Sequence, residues 1–142
     1  MTPKDQQLID LLKVNAREPV ASLARKLGVA RSTVKERLRK LETSGVIAGY
    51  TVQLGQGTAH SAITAHVLLS VDAKRADAFI REMKAIAAVR GLYAIAGAHD
   101  YLAVIETPST HEIDAVLDRI GRIDGVTKTE SSIALSVKFQ RA

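Results

Sequence analysis

Apolar residues recur at helical spacing up to Gly45 and at strand spacing directly after it, so the chain changes architecture at that point. Three helices are expected before it. The first is announced by Thr2 as cap, Pro3 at the first helical position and Asp5 where a capping-box acid stands. It carries the stripe Leu8, Ile9, Leu11 and Leu12, and the run Asn15-Ala16-Arg17-Glu18-Pro19 breaks it. A short second helix turns Leu23, Ala24 and Leu27 inward and stops at Gly28. A third, over 31–43, places Val34, Leu38 and Leu41 at i, i+4 and i+7 and ends at Gly45.

Beyond Gly45, residues 46–54 alternate, with Tyr50, Val52 and Leu54 on one face, and predict a strand; the small polar run 55–61 predicts a linker. Next come a strand over 62–71 and a helix over 74–87 that buries Phe79, Ile80, Met83 and Ile86. Strands over 89–96 and 101–107 flank a tight turn at Gly97-Ala98-His99-Asp100. Ser109 and Glu112 form a capping box for a helix with the stripe Ile113, Val116, Leu117 and Ile120. A last strand over 131–139 is expected after the turn at Asp124-Gly125. This β-α-β-β-α-β order is that of a ferredoxin-like sandwich. The expected fold class is therefore α+β: an N-terminal winged helix-turn-helix domain (1–48), a hinge strand and linker (49–61), and a C-terminal ferredoxin-like domain (62–142). Such a sheet has one face covered by helices and one bare, and the bare face invites a second copy of itself.

The charge is divided unevenly. Residues 1–50 hold 10 Lys and Arg against 5 Asp and Glu, whereas residues 51–142 hold 10 of each. The whole excess of +5 thus lies in the helical module, which is the electrostatic footprint of a polyanion binder. The span Leu23 to Leu41 meets the steric needs of a helix-turn-helix. Ala24 allows the two helices to approach, Gly28 makes the turn, and Leu23, Leu27, Val29, Val34 and Leu38 lock the pair. With Val34, Leu38 and Leu41 inward on the third helix, Ser32, Lys35, Glu36 and Arg39 become the candidates for base edges. Arg39 suits guanine bidentately and Glu36 can accept from cytosine. Arg31, Thr33 and Lys40 are placed for phosphates, with help from backbone N–H groups at the helix start. Arg37 falls near the core edge, where a structural salt bridge or stem packing is expected instead.

The stretch "NAREPVASLARKLGVARSTVKERLRKLETSGVIAGYTVQL" resembles the N-terminal module of the leucine-responsive/asparagine (Lrp/AsnC, feast/famine) regulators. "GAHDYLAVIET" and "GVTKTESSIALSVK" resemble the sensor domain of the same family, so the likeness spans nearly the whole chain. The resemblance implies a transcription regulator that binds double-stranded DNA. It implies a strand at 49–54 that serves as hinge and pairs between subunits, sensor domains that dimerise through their sheets, and dimers that assemble further, commonly to octamers. It also implies an effector, a small amino acid, bound between sensor domains and lined by the turn 97–101 and the strand start 129–132. Gly97, His99, Asp100, Tyr101, Thr129, Ser131 and Ser132 are the candidate residues. Asp100 can accept from the ammonium, while backbone N–H groups near Gly97 and the hydroxyls of Ser131 and Ser132 can donate to the carboxylate. One departure is Ala30, which stands where the family usually has a serine to cap the recognition helix.

Other functions fare worse on the same residues. Some tetrapyrrole decarboxylases share this two-domain architecture, but His60, His66, His99 and His111 form no common motif. No two of them stand at i, i+3 or i, i+4, so no metal site is expected, and neither a catalytic residue nor a cofactor. Two further readings stay open: an architectural DNA-binding protein without an effector, and a metabolite sensor whose helix-turn-helix has lost DNA. The absence of cysteine excludes disulfides and thiolate metal ligands. No apolar run suits a signal peptide or a membrane span, and a cytoplasmic protein is expected.

Overall fold

The computed structural model describes residues 1–55 and 62–141, and the chain divides into two compact units, residues 1–54 with 141–142, and residues 55–140. The expected linker lies mostly at 56–61, outside the described residues.

The first unit holds α1 (Pro3–Val14), α2 (Val20–Leu27) and α3 (Arg31–Thr43). The α1 start is a full capping box: Thr2 Oγ1 accepts from the Asp5 N–H at 3.2 Å, and the Asp5 carboxylate accepts from the Thr2 N–H at 2.9 Å. Gly28 closes α2 in the left-handed region (φ 68°), where a side chain would be strained, and its N–H returns to the Ala24 and Arg25 carbonyls. Leu8, Leu23, Ala24, Leu27, Val34 and Leu41 form the core, with Leu38 and Ile47 packed on it. Burying one such leucine fully contributes about 1.5–3 kcal/mol, so this small unit rests on a few side chains. No strand occurs among its described residues. The segment 46–54, expected as a strand with its hinge at 49–54, makes no ladder, and Tyr50, Val52 and Leu54 are exposed.

The second unit runs β1 (Ile63–Val71), a 3₁₀ turn (Ala73–Arg75), α4 (Ala76–Lys84), β2 (Val89–Ala94), β3 (Tyr101–Thr107), α5 (Thr110–Gly121) and β4 (Val126–Ile133). The sheet is antiparallel, in the order β2-β3-β1-β4. Ala65, Val67, Leu69, Ala103 and Ile105 point to the helices, where they meet Phe79, Met83, Ile113 and Ile120. Alternation sends His66, Val104 and Glu106 to the other face. The Ser109 hydroxyl accepts from the Glu112 N–H and caps α5, which is one half of the expected capping box.

Two elements of this unit differ from the sequence reading by more than two residues at an end. The helix expected over 74–87 is shorter, because the Asp72 carboxylate caps Lys74 N–H and opens the segment as a 3₁₀ turn. The last strand is not 131–139 but 126–133. The apolar alternation of Ile133, Leu135, Val137 and Phe139 fits the later span, yet these side chains are exposed. The ladder is anchored earlier, at the Gly125 turn, whose carbonyl accepts from Asp72 N–H at 2.8 Å. β4 is an edge strand with almost every residue exposed, so it can be polar without burying polar groups.

Candidate functional site

Helix α3 sorts its residues as the wheel predicts. Val34 is fully buried; Arg31, Ser32, Lys35, Glu36, Arg39 and Lys40 are exposed, and Thr33 is half-buried. Ala30 sits at the N-cap with extended backbone and offers no side-chain hydrogen bond, and neither Ser32 nor Thr33 replaces it. The first-turn N–H groups of α3 therefore face outward without a side-chain acceptor.

Arg37 turns the other way. Its Nη1 donates to Thr2 Oγ1 at 2.8 Å and to Asp5 Oδ1 at 2.9 Å, which ties α3 to the start of α1. The Thr2 N–H first, and then the Arg37 guanidinium, hold the Asp5 carboxyl below its ordinary range. This is the structural salt bridge expected for Arg37.

On the exposed face, Arg39 is engaged by Glu36. Nε donates to Glu36 Oε2 at 3.1 Å and Nη2 to Oε1 at 2.6 Å. Lys40 Nζ stands 4.0 Å from the same Oε1. The Arg39 hydrogen bonds keep the Glu36 carboxyl below its usual range, and Glu36 in turn raises the guanidinium's pKa. Arg31 and Lys35 form no ion pair among the described residues. The face thus combines two unpaired cations with a side-on arginine–carboxylate pair.

In the second unit the turn before β3 is tightly held. Asp100 N–H donates to the Leu69 carbonyl at 2.8 Å, and Ile95 N–H to the Asp100 carbonyl at 3.0 Å. The Asp100 carboxylate accepts from Val71 N–H at 2.9 Å, where the β1–β4 register slips between Ser70 and Val71. One carboxylate oxygen therefore has a backbone task. His99 is buried, not exposed as a loop histidine usually is. Its Nδ1 meets Ser70 Oγ at 3.0 Å and its Nε2 meets Glu130 Oε2 at 3.1 Å.

The seven candidate effector residues fall on two sides of the sheet. Thr129 and Ser131 oppose Leu69 and Val67, whose side chains face the helices, while Ser132 opposes His66 on the bare face. Tyr101 lies on the helix side with its ring 5.1 Å from that of Phe79, and it lines a cleft of about 470 Å³ with Ile80, Met83 and Leu92. His99 joins the bare face through Ser70 and Glu130. Gly97 and Asp100 stand at the turn, at the end of the sheet. The residue that sequence reasoning missed is Glu130. It lies between candidates already named, and only the sheet register shows it reaching His99 across β1.

Comparison with known proteins places both units. Residues 1–42 match the AsnC-type helix-turn-helix domain, and residues 64–142 match the Lrp/AsnC ligand binding domain. The chain is 32% identical over 136 residues to the HTH-type transcriptional regulator LrpA of Pyrococcus horikoshii, covering 93% of this chain and 94% of that protein. It is 28% identical to the regulator FL11 of Pyrococcus furiosus, over 94% of this chain and 88% of the relative. Among solved structures, Escherichia coli AsnC superposes with a TM-score of 0.86 at 22% identity, over 100% of this chain and 97% of that one. A feast or famine regulatory protein of Mycobacterium tuberculosis, complexed with L-methionine, superposes with a TM-score of 0.84 at 26% identity, over 96% and 93%.

Proposed function

The chain belongs to the Lrp/AsnC family of transcription regulators, and from that premise we propose that it binds operator DNA through the exposed face of α3 and answers to a small amino acid held by its second unit. The relatives are regulators and not enzymes, so a decarboxylase activity is set aside. The observation that carries the reading is the sorting of α3. Its cations and polar groups share one exposed face, while Arg37 is withdrawn into a structural pair. Ser32, Lys35, Glu36 and Arg39 are proposed to meet base edges, and Arg31, Thr33 and Lys40 to meet phosphates.

The effector proposal is supported by the turn at 97–101 and by the L-methionine complex of the mycobacterial relative. Asp100 has one carboxylate oxygen beyond the one bonded to Val71, which suits an ammonium. Because Ser131 and Ser132 face opposite sides of β4, one ligand would take a hydroxyl from only one of them in a given subunit. A homodimer through the bare sheet face, assembling further to an octamer, is proposed on the exposure of Tyr93 and Val137, which line one cleft with His66, Val104 and Glu106 on that face. No helix among the described residues is long and apolar enough to cross a membrane, and a cytoplasmic site of action is proposed. The test is a thermal-shift screen of the full chain against the twenty amino acids, with light scattering on each. A stabilising amino acid and a dimer or larger species support the proposal; a monomer that no amino acid stabilises refutes its effector and assembly parts.

A further inference from the structure

The Arg39–Glu36 pair has a geometry that bears on how α3 reads DNA. An arginine carries five N–H donors in a planar fork. Glu36 takes two of them, one from Nε and one from Nη2, and so occupies the side edge of the guanidinium with both of its oxygens. The edge left over is the end of the fork, where one N–H of Nη1 and one of Nη2 run parallel. That spacing matches the O6 and N7 acceptors of guanine in the major groove. Both Glu36 oxygens already accept from Arg39, so a cytosine amine would share Glu36 with Arg39 by using the remaining lone pairs.

The pair also has an electrostatic consequence. An unpartnered arginine on this face would be attracted by any phosphate. Glu36 offsets that charge locally, while Arg31 and Lys35 stay uncompensated. Sequence-independent affinity grows with each phosphate neutralised, whereas a base contact adds affinity only at the right sequence. A carboxylate that blocks the first and orients the second therefore raises discrimination at some cost in total affinity.

We propose that Glu36 is the specificity-determining positioning residue of the recognition helix: it holds Arg39 side-on so that the end of its fork meets a guanine, and it keeps Arg39 from being spent on phosphates. The inference rests on the reading of α3 as the DNA-contacting helix.

The experiment uses the full chain. Wild-type protein first selects duplexes from a randomised library. Affinities for the selected duplex and for an unselected duplex are then measured across a salt series for wild type, Glu36→Gln and Glu36→Asp. Glu36→Gln removes the charge at nearly constant shape. It is expected to bind the unselected duplex several-fold more tightly, with a salt slope steeper by about 0.9, one further phosphate contact. Its preference for the selected duplex is expected to fall about tenfold, with the lost information confined to a guanine position. Glu36→Asp keeps the charge on a shorter stem. It is expected to leave the salt slope unchanged and still lose the guanine preference. Circular dichroism is expected to give melting temperatures near wild type for both, because the pair is exposed.

A wild-type protein that selects no sequence overturns the reading of α3 and this inference together. A selective wild type, with variants that keep the same preference and slope, overturns this inference alone. A Glu36→Gln variant that loses affinity equally on both duplexes also overturns it, since that pattern marks Glu36 as merely structural.

Discussion

Replacing Asp100 separates two tasks that this carboxylate is positioned to perform. One oxygen accepts from Val71 N–H at 2.9 Å, and Val71 is buried. Asp100→Ala removes that acceptor and leaves the amide without a partner, where β1 and β4 slip register. An unsatisfied buried donor costs about 1–3 kcal/mol, and partial access of water to the exposed Asp100 position favours the lower half of that range. A loss of about 1–2 kcal/mol corresponds to a fall in melting temperature of roughly 4–16 °C for a domain of this size. Asp100→Asn keeps a carbonyl oxygen in the same place but removes the charge. Its stability is expected to stay within about 0.5 kcal/mol of wild type, the ordinary range for a mild surface change. An amino acid that stabilises the wild type through its ammonium is expected to stabilise Asp100→Asn much less. The assay is urea unfolding followed by circular dichroism, with and without that amino acid. If Asp100→Ala unfolds at the wild-type urea midpoint, the hydrogen bond to Val71 does not hold the sheet end and the reasoning fails. If Asp100→Asn responds to the amino acid as wild type does, the carboxylate is not the ammonium acceptor.

Other consequences are open to the same methods. Gly125 has φ 98°, and an added Cβ would fall 2.4 Å from Arg75 Cβ, so Gly125→Ala is expected to destabilise the second unit by about 2–4 kcal/mol through backbone strain and overpacking; an unfolding midpoint equal to wild type contradicts this. Ala30→Ser supplies the missing cap of α3 and is expected to stabilise the first unit by about 0.5–1 kcal/mol, read as a higher melting temperature; no gain would mean the hydroxyl does not reach the helix N–H groups. Asp5 has a folded pKa below its ordinary value of 3.8, so its contribution is fully present above the unfolded value and is lost as pH falls through the lower, folded one. Wild type is accordingly expected to lose first-unit stability as pH falls below the ordinary aspartate value, and Asp5→Asn to flatten that acid limb; parallel acid limbs in the two proteins would exclude Asp5 as a source.

The helical module was almost fully legible because each of its signals is local. Capping by Thr2, the Gly28 turn and the inward stripe of α3 depend on residues within a few positions, and periodicity alone set Arg37 apart from Arg39. The topology of the second unit was legible for the same reason. Its last strand was misplaced because an edge strand need not be apolar, whereas the exposed alternation after it looks like a buried strand. The candidate effector site was the least legible part. The family resemblance grouped Ser131 with Ser132, but a strand sends neighbours to opposite faces. The His99–Glu130 contact joins residues 31 positions apart through the register of β1 with β4, which no local pattern records.

The most direct test of the central claim is the affinity of the full chain for its selected duplex and for an unselected one, measured by fluorescence anisotropy from about 50 to 200 mM salt with wild type and Arg39→Ala. If α3 grips DNA as described, log K falls linearly with log salt for both proteins. Arg39→Ala then loses preference for the selected duplex by about 1–3 kcal/mol at one base pair. Binding that ignores salt, or an Arg39→Ala variant that keeps the full wild-type preference, would contradict it.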